Sequence, residues 1–170
     1  MSVVQLIVGL VALQRLAEVA WAAHNTKALL RQGGFEVGRS HYKLFVLLHG
    51  SWLAAILIAV PANAPLDWLA LGTFAAMQML RLWVLATLGG RWTTRIIVLP
   101  NAPLVRQGPY RYLRHPNYLI VTVEIAALPI AFGVWGVALA FTLLNAMLLA
   151  WRIKVEENAL APFRGTSLRS

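Results

Sequence analysis

Leu44-Phe-Val-Leu-Leu-His-Gly-Ser-Trp-Leu-Ala-Ala-Ile-Leu-Ile-Ala-Val-Pro-Ala-Asn-Ala-Pro-Leu66 is a run of 23 residues without a formal charge. As a helix rising ~1.5 Å per residue it reaches about 34 Å, enough to cross a hydrocarbon core of about 30 Å. A second apolar run follows the Pro61/Pro65 turn, over about residues 66–88, and carries Arg81 within it. Upstream, about residues 3–23 form another, interrupted by Gln14, Arg15 and Glu18. Downstream, apolar sequence extends from Asn117 to Glu157 with a break near Pro129 and Gly133–Gly136. One helix over that stretch would measure about 61 Å, so it reads as a helical hairpin, about 117–131 and 134–157. The expectation is an all-α, polytopic membrane protein with five transmembrane helices, at about 3–23, 44–64, 66–88, 117–131 and 134–157, the last two as that hairpin.

Composition agrees with lipid as the solvent. The chain has 170 residues, 59% hydrophobic and 12% charged, and a mean hydropathy of +0.67; soluble domains average roughly 45–50% and about 25%. With no cysteine, a disulfide framework, a Cys-ligated zinc site and a thiol nucleophile are excluded. The net charge of +9 does not read as nucleic-acid binding, because the basic residues lie between apolar runs rather than on an exposed domain. Thirteen of the fifteen fall in three places: 24–43, 89–116 and the C-terminal end. With five spans all three share one side, which the positive-inside rule makes cytoplasmic, leaving the N-terminus outside. Met1–Leu13 carries no basic n-region and does not read as a cleavable signal peptide. The 170 residues read as one domain.

Concentrated polarity lies on that basic face. Gly108-Pro109 signals a turn, and His115-Pro116 starts a helix, with Pro116 tolerated in the first turn. Asn117 and Tyr118 then sit at the positive helix N-terminus, which suits a carboxylate or phosphate. A plain basic loop that fixes topology is the simpler account of 89–118. At the end of the last span, Arg152 and Glu156 are four apart and share a helix face; a salt bridge stabilising the helix by a few tenths of a kcal/mol would also explain them. Within the spans, Arg15 and Glu18 are placed to pair, as are Arg81 and Glu124, since an isolated charge at that depth is costly. His24, His41 and His49 suggest no metal site, and none is expected. G-x-G-x-x-G, P-loop, H-E-x-x-H and G-x-S-x-G motifs are absent.

Gly108-Pro109-Tyr110, Arg114-His115-Pro116-Asn117-Tyr118 and, further on, Arg152-x-x-x-Glu156-Glu157 resemble the isoprenylcysteine carboxyl methyltransferase family, integral-membrane enzymes that use S-adenosylmethionine (SAM). The resemblance covers about residues 100–160. It implies a cytoplasmic cofactor pocket drawn from about residues 89–165. Leu104, Val105 and Tyr110 would help line it, while His115, Pro116, Asn117 and Tyr118 would hold the methionine end or the ribose. Glu156 would approach the cofactor and Arg152 the methyl acceptor, these two being the catalytic candidates. Ala102-Pro103 stand where the family often has polar residues. Trp92–Arg95 is a candidate lid.

Gln14-Arg15-Leu16-Ala17-Glu18, His24-Asn25-Thr26, Gly90-Arg91-Trp92-Thr93-Thr94-Arg95 and Glu124–Pro129 are similar to a bacterial branch associated with type III polyketide synthases. That likeness implies O-methylation of a long-chain alkylpyrone or alkylresorcinol at the bacterial inner membrane, with a lipophilic small molecule and membrane lipid as partners and no nucleic acid. The alternatives are isoprenylcysteine-type carboxyl methylation, an NADPH-dependent sterol-type reductase on a related fold, and a non-catalytic lipid-binding protein.

Overall fold

The computed structural model describes residues 2–61, 64–100, 102–103 and 105–161, apart from the side chains of Ser40 and His41. Five long helices carry the chain: α1 (Val3–Arg31), α2 (Arg39–Ala59), α3 (Trp68–Leu88), α4 (Pro116–Ala131) and α5 (Trp135–Leu160). Two short strands, β1 (Phe35–Val37) and β2 (Ile96–Val98), pair antiparallel with Glu36 opposite Ile97. Among the described residues four helices are long and apolar enough to cross a membrane, those in α1, α2, α3 and α5. The protein is an all-α, multi-pass membrane protein with one small two-stranded sheet. At 16 residues, α4 reaches only about 24 Å.

Several boundaries differ from the sequence-based expectation for clear reasons. α1 runs on past residue 23 to Arg31, because Lys27-Ala-Leu-Leu-Arg31 are good helix formers. It stops at Gln32, where Gly33 adopts φ 90° and Gly34 donates to the Leu29 carbonyl at 3.0 Å. α2 ends at Ala59 and not at 64: Val60, which precedes Pro61, is extended (φ −78°, ψ 123°), as the proline ring demands of its neighbour. α3 starts at Trp68, after Asp67 caps it by accepting from the Leu69 and Ala70 amides. The expected turn between the last two helices is present. Gly133 (φ 73°) donates to the Ile130 carbonyl and Val134 to that of Pro129, both at 2.9 Å.

Connections gather at two ends of the bundle. The β1–β2 pair ties the α1–α2 connection to the α3–α4 connection. At the other end Asp67 N–H donates to the Ala131 carbonyl at 2.9 Å, tying the α2–α3 connection to the end of α4. Exposed apolar side chains such as Leu13, Leu47, Ile58, Leu69 and Met147 give the bundle a lipid-facing surface. Trp68 and Trp135, exposed at the starts of α3 and α5, occupy the position of interfacial anchors.

Both charge pairs expected within the spans form, and they join into one network. Arg15 meets Glu18 at 2.8 Å and Glu124 at 3.1 Å. Arg81 meets Glu18 at 3.4 Å and donates through Nε to Glu124 at 3.0 Å, with a second contact from its Nη2. Gln14 donates to Glu18 at 2.9 Å, and Gln78 donates to Gln14 at 2.6 Å. Two guanidinium groups and two carboxylates thus cancel while fastening α1, α3 and α4 together.

Pro129 lies within α4 and has no N–H for the carbonyl four residues back. That carbonyl, of Ile125, instead accepts from the indole N–H of fully buried Trp52 on α2 at 3.2 Å. Tertiary structure supplies the hydrogen bond that the helix lacks, which a lipid environment requires.

Two stability predictions follow from these contacts. Glu124→Ala, which leaves two guanidinium groups sharing the one carboxylate of Glu18, should destabilise the protein by about 3–5 kcal/mol, with the Arg81→Leu/Glu124→Leu double variant recovering most of the loss in thermal unfolding in detergent. Trp52→Phe should cost about 1–3 kcal/mol through the orphaned carbonyl, and clearly less in a Pro129→Ala background, where the helix regains its own donor; a double-mutant cycle measures the difference.

Candidate functional site

The β1–β2 end of the bundle holds a cavity of about 180 Å³. Its walls come from the end of α3 (Leu88), the 91–97 segment, Tyr110 and Arg114, the first turn of α4, and Arg152, Glu156 and Leu160 of α5. Of the residues singled out in the sequence, Tyr110, His115, Asn117, Tyr118, Arg152 and Glu156 line it together. Pro116 is buried as the first residue of α4 and shapes the turn from behind. Val105 is not among the lining residues. Leu104 lies outside the described residues.

Arg152 is 8% exposed. Its Nε donates to the Tyr118 hydroxyl at 3.0 Å and its Nη2 to the Thr94 carbonyl at 2.9 Å. The Tyr118 hydroxyl in turn donates to Glu156. Arg152 and Glu156 share a face of α5, as their spacing predicts, yet they do not form the direct i,i+4 bridge; Tyr118 stands between them. Among the described residues no carboxylate forms an ion pair with Arg152. The guanidinium also lies over the rings of Phe45 and Tyr118, at 5.2 and 5.8 Å from their centroids, which partly compensates its burial. It is a desolvated cation held in orientation by neutral groups.

His115 and Asn117 present the complementary feature. His115 Nε2 and Asn117 Oδ1 are buried polar atoms without a hydrogen-bond partner, at the N-terminus of α4, where helix amides and dipole favour negative charge. The His115 ring stacks on Tyr118 at 5.1 Å, so its plane is fixed. Burial, reinforced by the nearby Glu156 charge, pushes the Tyr110 phenol up to about 12. That hydroxyl stays protonated at neutral pH and can donate.

The 91–95 wall is held from α1, a contribution that motif reading missed. Asn25, buried on α1, donates its one side-chain amide to the Gly89 carbonyl at 3.1 Å and the Trp92 carbonyl at 2.9 Å. Trp21, one turn earlier, stacks on Trp92 at 5.5 Å. The lid expected at Trp92–Arg95 is therefore seated as a wall, with Trp92 buried. Arg95 is clasped by Glu36 of β1 at 3.0 Å and lies over Tyr42. Only the placement of a Trp and an Asn one turn apart near the end of α1 hinted at this role.

The chain matches the isoprenylcysteine carboxyl methyltransferase (ICMT) family over residues 68–162, which contain all of the residues that line the cavity. It is 34% identical over 163 residues to the uncharacterized protein YpbQ of Bacillus subtilis (strain 168), covering 93% of this chain and 96% of that one. It is also 28% identical over 154 residues to an uncharacterized protein of Haemophilus influenzae, covering 86% of this chain and 88% of the other. No solved structure matches. With the matched region spanning α3 to α5 and the cavity between them, the chain belongs to the isoprenylcysteine carboxyl methyltransferase family and is a SAM-dependent methyltransferase of the membrane.

Proposed function

We propose that the chain methylates an oxygen nucleophile on a lipid-tailed acceptor at the water–lipid boundary, with the 180 Å³ cavity as the meeting place of donor and acceptor. The observation that carries this reading is Arg152, a buried cation without an anionic partner among the described residues. Its planar fork of donors fits an acceptor oxyanion, and Tyr118 and the Thr94 carbonyl hold it ready. Glu156 acts through Tyr118 to keep the fork aligned.

The residues fit SAM on chemical grounds. Its ammonium, carboxylate and ribose hydroxyls are the polar groups that the partnerless His115 Nε2 and Asn117 Oδ1 call for. His115, Asn117 and Tyr110 would hold the polar end, with Pro116 fixing the first turn of α4 beneath them. Leu104 and Val105 are proposed to contact the cofactor, as the family resemblance implies. When bound, SAM supplies a methyl group on a sulfonium. The protein's own contribution is to orient the acceptor, exclude water and hold charge at Arg152.

A carboxylate is the first choice of acceptor. The family's name states carboxyl methylation, and two carboxylate oxygens match a guanidinium fork. A long-chain alkylpyrone or alkylresorcinol, offering one oxyanion, is the second class, motivated by the sequence likeness around Gln14–Glu18 and Gly90–Arg95. The whole chain acts as one domain: α4 completes a fifth crossing with α5 as its hairpin partner, the N-terminus lies outside, and the cavity opens to the cytoplasm at a bacterial inner membrane. The basic residues of the 24–43 and 89–116 segments, brought to one end by the β1–β2 pairing, support that orientation.

Calorimetry with S-adenosylhomocysteine on detergent-purified protein tests the cofactor assignment. Binding is expected for the wild type, at least tenfold weaker for His115→Ala, and little changed for Arg152→Ala, which should lose methyl transfer; absence of heat from folded wild-type protein overturns the reading. For the orientation, a C-terminal alkaline phosphatase fusion should stay inactive in the periplasm-facing assay, and activity there inverts the topology.

A further inference from the structure

A second cavity, of about 460 Å³, lies between α1 and α3 and is lined by Gln14, Ala17, Glu18, Trp21, Gln78, Leu82 and Leu85. We infer that this trough binds the hydrocarbon chain of the methyl acceptor while the acceptor's head occupies the cavity at Arg152; the inference rests on the methyltransferase reading above. Three observations support it.

The first is room. At about 460 Å³ the trough falls within the roughly 300–1,000 Å³ of small-molecule sites, which is room for a hydrocarbon chain. The second is direction. Along α1 the trough residues Gln14, Ala17 and Trp21 lead within one further turn to Asn25, which holds the cavity wall. Along α3, Gln78, Leu82 and Leu85 lead to Leu88, which lines the cavity itself. Both helices therefore run from trough to cavity in step, over about 15 Å at ~1.5 Å per residue. The third is the boundary. Trp21 lines the trough and stacks at 5.5 Å on Trp92, which lines the cavity, so one aromatic pair is the wall that separates the two sites.

The trough's lining suits a chain and not a second head group. Gln14, Glu18 and Gln78 at its far end already bond to one another and to Arg15, leaving Ala17, Trp21, Leu82 and Leu85 as the contact surface. Ala17 and Leu82 are exposed, so the trough is open sideways, where the chain of a membrane-resident molecule would enter without leaving the apolar phase. Because α1 lies outside residues 68–162, one wall of the trough comes from beyond the part of the chain that matches the family.

Dibromostearate titrated into the full-length protein in detergent tests the trough directly, since bromine quenches nearby indoles. Over the non-saturating quenching of exposed indoles such as Trp68 and Trp135, a saturable component is expected, and Trp21→Phe should remove most of that component. Ala17→Phe and Leu82→Phe, which fill the trough at exposed positions, should raise the half-saturating concentration at least tenfold while leaving S-adenosylhomocysteine binding unchanged. Quenching that rises without a saturable component, as for ordinary contact with bulk chains, or that is indifferent to both filling variants, overturns the inference. Saturable, trough-dependent quenching by a protein that binds no S-adenosylhomocysteine would instead keep the chain site and remove the methyltransferase reading of the cavity.

Discussion

The neutral four-charge network of Arg15, Glu18, Arg81 and Glu124 is the contact on which the rest of the arrangement depends. Apolar helix faces slide and rotate against one another at little cost in lipid, because the surrounding chains are as apolar as the helices. A charge cannot slide in this way without losing its partner. The network therefore sets the axial register of α1, α3 and α4, and the site is displaced from it by a fixed distance. Asn25 lies seven residues beyond Glu18, Leu88 seven beyond Arg81, and Asn117 seven before Glu124. Each offset is about two helical turns, or roughly 10 Å, toward the same end of the bundle. The wall, the cavity edge and the α4 N-terminus thus arrive at one level.

Around that level the backbone becomes irregular, and irregular backbone near lipid has to be satisfied by protein. β1 and β2 achieve this by pairing across two connections, and Asn25 by spanning two carbonyls with a single amide. Trp52 performs the same service deeper in the bundle for the carbonyl that Pro129 leaves free. Among the described residues, buried atoms without such a partner are Arg15 Nε, Thr142 Oγ1 and Asn145 Oδ1 within the bundle and His115 Nε2 and Asn117 Oδ1 at the α4 N-terminus, of which the last two line the cavity. An unsatisfied buried atom is costly wherever it occurs, so its location beside a desolvated arginine argues for a ligand that completes it.

The length of the apolar runs and the placement of charge made the helices legible, and the expense of burying charge made the pairs Arg15–Glu18 and Arg81–Glu124 legible too. The cross-links between those pairs were not, because Arg15–Glu124 and Arg81–Glu18 depend on helix packing that no spacing encodes. The same limit applies to Arg152 and Glu156: four residues apart they share a face, but Tyr118, more than thirty residues earlier, intervenes. β1 and β2 are three residues each, too short for alternation to register. The end of α2 was available in the sequence, since Pro61 forbids Val60 a helical conformation; drawing the span by hydrophobicity through to residue 64 ignored a stronger local signal.

The division of labour within the chain follows from where each wall originates. Residues 108–118 and 152–156 bring the partnerless polar atoms and the oriented guanidinium, and they fall inside the family match at 68–162. α1 and β1 fall outside it, yet α1 supplies half of the charge network, Asn25 and Trp21, while β1 supplies Glu36. The matched segment is therefore incomplete as a structural unit: without α1, Arg81 would lose Glu18, Glu124 would lose Arg15, and the 91–95 wall would lose its anchor. Chemistry common to a family needs the first set of residues to stay fixed, whereas a change of acceptor needs only the second set to vary. A chain that reads its acceptor through α1 can alter its substrate while leaving Arg152, Tyr118 and Glu156 untouched.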